Sequence, residues 1–341
     1  MMQSIPIRQA VGHVLAHDVT RIIPGSSKGP AFKKGHIIQE ADIEPLLDMG
    51  KAHIFVLELS ADQVHEDAAA QRIAVAAAGP GLKLSTPSEG RVNLISEYHG
   101  LLKVNVDALN QLNAIQDVVF ATLHNNLRVD SGRPVAGTRV VPLVVSECTV
   151  AEAEVVCRKN RPLISVLPFQ SIPVGMITTG SEVFLGRIKD KFGPVVEKKF
   201  KSLGSWITRQ IFVSDDVDKT VEGIRTLIEE GARMVVLTGG MSVDPDDRTA
   251  AGIRSADAQV VTYGSPTFPG AMFMLAYIGD VPILGLPGCV MYHRTSIFDL
   301  VVPRLLAGER LTREDIVKLG HGGYCAGCSE CRYPLCGFGK A

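Results

Sequence analysis

Three apolar runs in the second half of the chain constrain its fold more than anything else: VGMITTG (174–180), ARMVVLTGG (232–240) and VPILGLPG (281–288). Each is apolar almost throughout and ends in a polar, glycine-containing turn. A strand that is apolar on both faces needs cover on both faces, which is the signature of a parallel sheet packed between helices. The intervening segments supply those helices. VVEKKFKSLG is one, closed by Gly204; another follows Asp215 and Asp216, which offer N-caps, with Val221, Ile224, Leu227 and Ile228 on one face and Gly231 at its end. WITRQIFV adds a further strand. This alternation from Ile172 onward predicts a three-layer α/β domain with a mostly parallel sheet. The last helix, about residues 291–306, carries Pro303, which should kink or break it.

The strand ends are chemically loaded. The first turn, TTGSEVFLGRIKD, offers Thr178, Thr179, Gly180, Ser181 and Glu182, with Asp190 eight residues after Glu182. The second, TGGMSVDPDDRT, offers Gly239, Gly240, Ser242, Asp244, Asp246 and Asp247. The third, GLPG, offers Pro287 and Gly288 ahead of the final helix. In a doubly wound sheet these turns can share one carboxyl edge, where open α/β sheets bind ligands. Glycines leave room for a ligand, and amides with hydroxyls suit a phosphate. Clustered carboxylates suit Mg²⁺ held against that phosphate, or proton transfer. The competing reading of the second turn is a solvated Asp/Pro turn that caps a helix.

At 341 residues with 46% hydrophobic composition, the chain suits two or three domains with substantial cores. A net charge of −1 argues against a general nucleic-acid or anionic-membrane binder. No apolar segment is long enough and free enough of charge to span a bilayer. The start, MMQSIPIRQAVGHVLAHDV, lacks the plan of a signal peptide, so a cytoplasmic protein with reduced or metal-bound cysteines is expected. Four of the seven cysteines, Cys325, Cys328, Cys331 and Cys336, lie at the far end with C-x2-C-x2-C-x4-C spacing. That spacing predicts a metal site, zinc held by thiolates or an iron–sulfur cluster. The ferredoxin pattern differs in having x3 before the last cysteine and a proline after it.

Texture divides the chain into four parts. Residues 1–80 are a mixed α/β segment, with AVGHVLAHDV expected as a short helix, a second helix and strand in EADIEPLLDMGKAHIFVLEL, and an alanine-rich helix over 61–78. Residues 81–171 read as a β-rich or mixed subdomain, 172–310 as the α/β domain and 311–341 as the cysteine tail.

The ordered pattern TTGSEV…LG…D, TGGMSVDPDDRT and PTFPGAMFMLAYIGDVPILGLPG resembles the molybdopterin-binding domain of molybdenum-cofactor biosynthesis proteins. That domain occurs in molybdopterin adenylyltransferases and molybdenumtransferases, in gephyrin and in the competence-damage-inducible family. The resemblance covers about residues 172–308. It implies that Ser181, Glu182, Gly239, Gly240, Ser242 and Asp247 line a pterin-phosphate and metal site, with Asp190 at another acidic position of the first motif. Thr179, Asp244, Asp246, Pro287 and Gly288 complete the set of candidate binding residues; Asp247 and Glu182 are the candidate catalytic ones. The implied activity is Mg²⁺-dependent insertion of molybdate into adenylylated molybdopterin with release of AMP, by a homodimer. A molybdo- or tungstoenzyme would receive the product. The alternative is a non-catalytic molybdopterin carrier or sensor with a metal-binding tail.

The front of the chain is similar to the molybdenumtransferase arm in VGHVLAHDV and in KKGHIIQEADIEPLLDMGKAHIFV. It has no counterpart of that family's Asn-Ser-Ala-Met-Asp-Gly-Tyr loop; PGSSKGPAFKKGH stands in its place, and Lys33, Lys34 and His36 could supply anion contacts there. Cys289-Val290 replaces the usual Asn-Pro after LPG, and Asp244 stands where the transferases have Gly. The four-cysteine tail matches none of the standard members.

Overall fold

Strands that are apolar on both faces determine how the carboxyl-terminal half is built. The structure, a computed structural model, describes residues 2–23, 27–57, 60–241 and 248–340. These fall into two compact units: residues 1–98, 103–123 and 130–166 form one, and residues 99–102, 124–129 and 167–341 the other.

In the second unit, numbered on its own, β1 (Pro173–Thr179) is followed by α1 (Ser181–Phe184) and α2 (Gly193–Lys201), then β2 (Trp206–Val213) and α3 (Val217–Glu229). Next come β3 (Met234–Thr238), α4 (Thr249–Ser255), β4 (Gln259–Tyr263), β5 (Met274–Ile278) and β6 (Val281–Leu286). Helices α5 (Cys289–Tyr292), α6 (Ile297–Leu306) and α7 (Arg313–Val317) close the series. The six strands form one sheet in the order β2-β1-β3-β6-β5-β4. The first four run parallel; β5 is antiparallel to both β6 and β4.

Alternate residues of each strand face different helix layers. Val174 and Met176 of β1 join Phe200 and Phe298 in one core, while Ile177 joins Leu227 and Ile253 in the other. The sheet is therefore the middle of three layers, as its sequence predicts. Val235, Val236 and Leu237 are 0% exposed, and each side chain so buried stabilises the fold by roughly 1.5–3 kcal/mol.

The final helix departs from expectation. Its break falls at residues 293–296, between α5 and α6, and Pro303 sits inside α6. Proline has no N–H to donate to the carbonyl four residues earlier. That carbonyl belongs to Asp299, and it accepts a hydrogen bond of 2.8 Å from the Tyr333 hydroxyl instead. The helix tolerates its proline because the tail satisfies the freed acceptor. Burial, reinforced by nearby Asp299, pushes the Tyr333 phenol far above its ordinary value, so it stays a donor.

In the first unit the helix Glu66–Ala77 packs on an antiparallel four-stranded sheet, Leu82–Leu84, Arg91–Ser96, Pro134–Val140 and Val118–Thr122 in spatial order. The helices Val106–Asn113 and Glu147–Lys159 are additions that the strand-like texture of this stretch did not announce. Arg72 ties the helix Glu66–Ala77 to Glu147–Lys159, donating to Glu147 at 2.7 Å and to Glu154 at 2.9 Å. AVGHVLAHDV is not helical. Gly12 takes φ +84, Val14 bridges to Ile37, and Leu15 N–H donates to the His36 carbonyl. A chain held in that extended pairing cannot also close α-helical bonds.

Candidate functional site

Strand register brings the three loaded turns to one edge. Thr178 of β1 lies beside Thr238 of β3, and Thr238 beside Leu286 of β6, all on parallel strands. The turns that begin at Gly180, Gly239 and Pro287 therefore leave the sheet side by side. A fourth turn joins them. Thr179 pairs with Val213 at the end of β2, which puts Asp215 and Asp216 on the same edge.

Buried threonines stitch this edge together. Thr178 and Thr238 are hydrogen-bonded through their hydroxyls at 3.1 Å, and Thr179 and Thr249 at 2.8 Å. Thr249 also donates to the Gly239 carbonyl at 3.0 Å. The glycines of the second turn serve this packing. Gly239 has φ +86, and a Cβ there would come 2.2 Å from the Thr179 carbonyl oxygen; at Gly240 it would come 2.5 Å from Thr249 Oγ1. Their missing side chains make room for the neighbouring strand and helix, not for a ligand. Gly288 is the contrast, since a Cβ there would meet nothing within 4 Å.

In the first turn, the Ser181 amide and hydroxyl both donate to Asp215 Oδ2, at 2.9 and 3.0 Å. Glu182 is exposed, and its carboxylate curls back over Gly180, where a Cβ would lie 3.1 Å from Oε1. Asp190 is spoken for. It accepts from the amides of Phe192 and Gly193, fixing the start of α2, and from Gln210 Nε2 at 2.7 Å. The same Gln210 nitrogen donates to Thr178 Oγ1 at 2.8 Å, so a single amide links the strand end to the helix cap. Gln210 is a site residue that sequence reasoning missed, as a lone Gln on a strand carries no motif, and Asp215, expected only as an N-cap candidate, instead holds the first turn through Ser181. Beside them opens a cleft of about 480 Å³ lined by Phe184, Ile188, Asp190, Gly193, Gln210 and Phe212.

Of the second turn, Ser242, Asp244, Asp246 and Asp247 lie outside the described residues. In the third, Pro287 is buried and Gly288 exposed. Burial pushes the neighbouring Cys289 thiol above its ordinary value, which suits a space-filling thiol rather than a reactive one.

Two basic side chains of the front loop have structural partners. Lys34 Nζ donates to His65 Nδ1 at 2.7 Å and to Asp67 at 2.9 Å, and His36 is 2.6 Å from Asp42. Burial holds His65 below its ordinary value, and its Nε2–H donates to the Ala16 carbonyl. Lys34 and His36 are thus brackets of the first unit, while Lys33 is solvated.

The tail does not take the expected form. Among the described residues no group of three or more His, Cys, Asp or Glu side chains is placed to hold a metal ion, so Cys325, Cys328, Cys331 and Cys336 are not gathered. The tail is instead fixed along the α/β unit. Phe268 and Cys325 exchange backbone bonds with the loop and tail, with Phe268 N–H to the Gly323 carbonyl and Cys325 N–H to the Phe268 carbonyl, both at 2.8 Å. Tyr333 reaches Asp299, and Cys331 Sγ lies 3.3 Å from Thr295 Oγ1.

Parallel strands with polar turns aligned at their carboxyl ends define a ligand-binding α/β domain of the doubly wound class. Residues 175–307 match the family of the probable molybdopterin binding domain, and residues 4–58 match a domain of unknown function, DUF8806. Residues 175–307 are thus similar to the probable molybdopterin binding domain of molybdenum-cofactor biosynthesis proteins. The molybdopterin molybdenumtransferase of Staphylococcus epidermidis is 22% identical over 295 residues, 84% of this chain and 66% of the transferase. A protein of Saccharolobus islandicus is 32% identical over 81 residues, 24% of this chain; the chain spans 31% of that relative's length. Among solved structures, the tungsten cofactor synthesizing protein MoaB from Pyrococcus furiosus is 20% identical with a TM-score of 0.34, over 41% of this chain and 98% of its own. The molybdopterin biosynthesis enzyme MoaB from Thermus thermophilus is 18% identical with a TM-score of 0.33, over 40% and 98%. No described helix is long and apolar enough to cross a membrane.

Proposed function

We propose that the protein binds molybdopterin, or its adenylylated form, at the carboxyl edge of this sheet and inserts molybdate with release of AMP. The observation that carries the reading is the register Thr178–Thr238–Leu286 on parallel strands of the domain at 175–307. Main-chain amides around Gly240 and Gly288 receive the pterin phosphate, because the Gly180 and Ser181 amides already donate to the Val213 carbonyl and to Asp215. Thr179, Ser181 and Asp190 act behind them as scaffold, because their side chains are already hydrogen-bonded within the protein. Glu182, exposed at the first turn, is the side chain free to hold or move a proton at the reacting phosphate.

Asp247, with Asp244, Asp246 and Ser242 nearby in sequence, holds Mg²⁺, which when bound neutralises charge on the phosphoanhydride. Water adds across that bond and AMP leaves. As the dithiolene sulfurs take the metal, their two protons depart with one molybdate oxygen as water. The chain's part is positioning and electrostatics, with no side-chain nucleophile. The metal expected at the tail is zinc or an iron–sulfur cluster, on the spacing of its cysteines. A homodimer in the cytoplasm, passing cofactor to a molybdo- or tungstoenzyme, completes the proposal.

The front sequence favours a second reading, a carrier or sensor without turnover, because it lacks the transferases' Asn-Ser-Ala-Met-Asp-Gly-Tyr loop. Incubation with adenylylated molybdopterin, Mg²⁺ and molybdate separates the two. AMP release that is lost in Asp247→Asn supports insertion. Tight binding without AMP release supports the carrier.

A further inference from the structure

The amino-terminal end of the sheet, opposite the turns described above, carries a cavity of about 260 Å³. Its floor is apolar. Ile172, Met234, Pro282 and Leu305 are all buried there, at or beside the starts of β1, β3 and β6 and the end of α6. The volume lies below the roughly 300–1,000 Å³ of sites for drug-sized ligands, so an occupant must be small.

The rim has more donors than acceptors. Glu309 accepts from Arg304 at 2.7 Å and Asp280 from Arg310 at 3.3 Å, so both carboxylates of the lining are answered. Arg310 also lies over the Tyr277 ring, 4.1 Å from its centroid, which holds its planar guanidinium in place. Arg233, by contrast, has no side-chain partner among the described residues. Tyr277 is 4% exposed, and its hydroxyl accepts from the Leu311 amide at 2.9 Å. The hydroxyl's own proton goes to no acceptor among the described residues, and burial pushes the phenol above its ordinary value, so it remains a donor. A buried donor without an acceptor is costly until something arrives to take its proton. Gln170 adds an amide, seated where a Cβ on Gly308 would come within 3.0 Å of its Nε2.

We propose that this cavity binds a small organic monocarboxylate, with Arg233 and the Tyr277 hydroxyl as donors to its charged end. Arginine presents a planar fork of N–H groups that matches a carboxylate, and such charge-assisted bonds are stronger than neutral ones. The apolar floor takes the ligand's body. A phosphate dianion fits less well, because a single guanidinium is unpaired and two carboxylates share the lining. The site lies at the other end of the strands from the proposed pterin site and shares no residue with it, so neither reading depends on the other.

The test uses the full chain without pterin, titrated with hexanoate in a calorimeter. Hexanoate should bind, and 1-hexanol, the same body without the charge, should bind at least about ten-fold more weakly. Inorganic phosphate should also bind more weakly than hexanoate. Arg233→Ala should weaken hexanoate binding about ten-fold or more. Arg233 is exposed, so circular dichroism of that variant should match the parent. Tyr277→Phe should weaken binding as well, through the lost donor. No hexanoate binding up to about 10 mM overturns the proposal. So does an Arg233→Ala protein that binds as the parent does, equal affinity for hexanol, or tighter binding of phosphate.

Discussion

Replacing Tyr333 by Phe removes one oxygen from a buried position, and the structure sets the size of the effect. The ring stays, so its packing against Phe338 stays with it. What is lost is the donor to the Asp299 carbonyl, which Pro303 has already deprived of its helical partner. A buried acceptor left alone costs about 1–3 kcal/mol. For a unit of this size that corresponds to a fall in melting temperature of about 2–4 °C per kcal/mol. The discriminating measurement is a double-mutant cycle in urea, with Pro303→Ala as the second change. The alanine introduced by that change has an N–H that can donate to Asp299, so Tyr333→Phe should cost about 1 kcal/mol less on that background. Equal costs on both backgrounds would refute the reasoning, as would a cost below about 0.5 kcal/mol in the parent.

Glycines of the two turns should part company: Gly239→Ala, at φ +86 and against the Thr179 carbonyl, should destabilise by about 1–3 kcal/mol in chemical denaturation, whereas Gly288→Ala should be near neutral. Asp190→Ala should cost about 0.5–2 kcal/mol of stability as a lost helix cap, and the pterin affinity of the folded protein, measured by calorimetry, should change little. Asp315 gives a pH dependence. Burial alone would raise its carboxyl, but hydrogen bonds from Arg304 and Thr312 hold it at about 2 against an ordinary 3.8. Its contribution is thus present above the ordinary value and is lost as pH falls from about 4 towards 2. Urea midpoints across that range should fall less steeply in Asp315→Asn than in the parent.

The strands β1, β3 and β6 and the order of their turns were legible because continuous apolar runs have one economical solution, a sheet covered on both faces. The helix after Asp216 was legible from its cap and its apolar face. Position along the edge was not. Gln210 looks like any polar residue of an edge strand until the fold sets it between Thr178 and Asp190. Pro303 reads as a helix breaker unless one knows that Tyr333, far along the chain, fills the vacancy it creates. Gly239 and Gly240 read as open floor for a ligand, whereas the space is filled by Thr179 and Thr249. AVGHVLAHDV has helical spacing, but pairing of Val14 and Leu15 with the segment around Ile37 wins over it. The second turn's carboxylates stand on sequence, outside the described residues.

The threonine seam carries a consequence in proton direction. A hydroxyl has one proton to give. Gln210 donates to Thr178, which leaves Thr178 to donate to Thr238, and Thr238 to donate to the Ile177 carbonyl. Thr249 donates to the Gly239 carbonyl, and Thr179 shares its one proton between Thr249 and the Thr238 carbonyl 3.3 Å away. Both chains run one way and end on main-chain oxygen, and Ser181 spends its proton on Asp215. An arriving phosphate finds no hydroxyl proton free among these five residues. It would have to reverse a whole chain to gain one, so on the proposed reading its contacts along this seam fall to main-chain N–H groups.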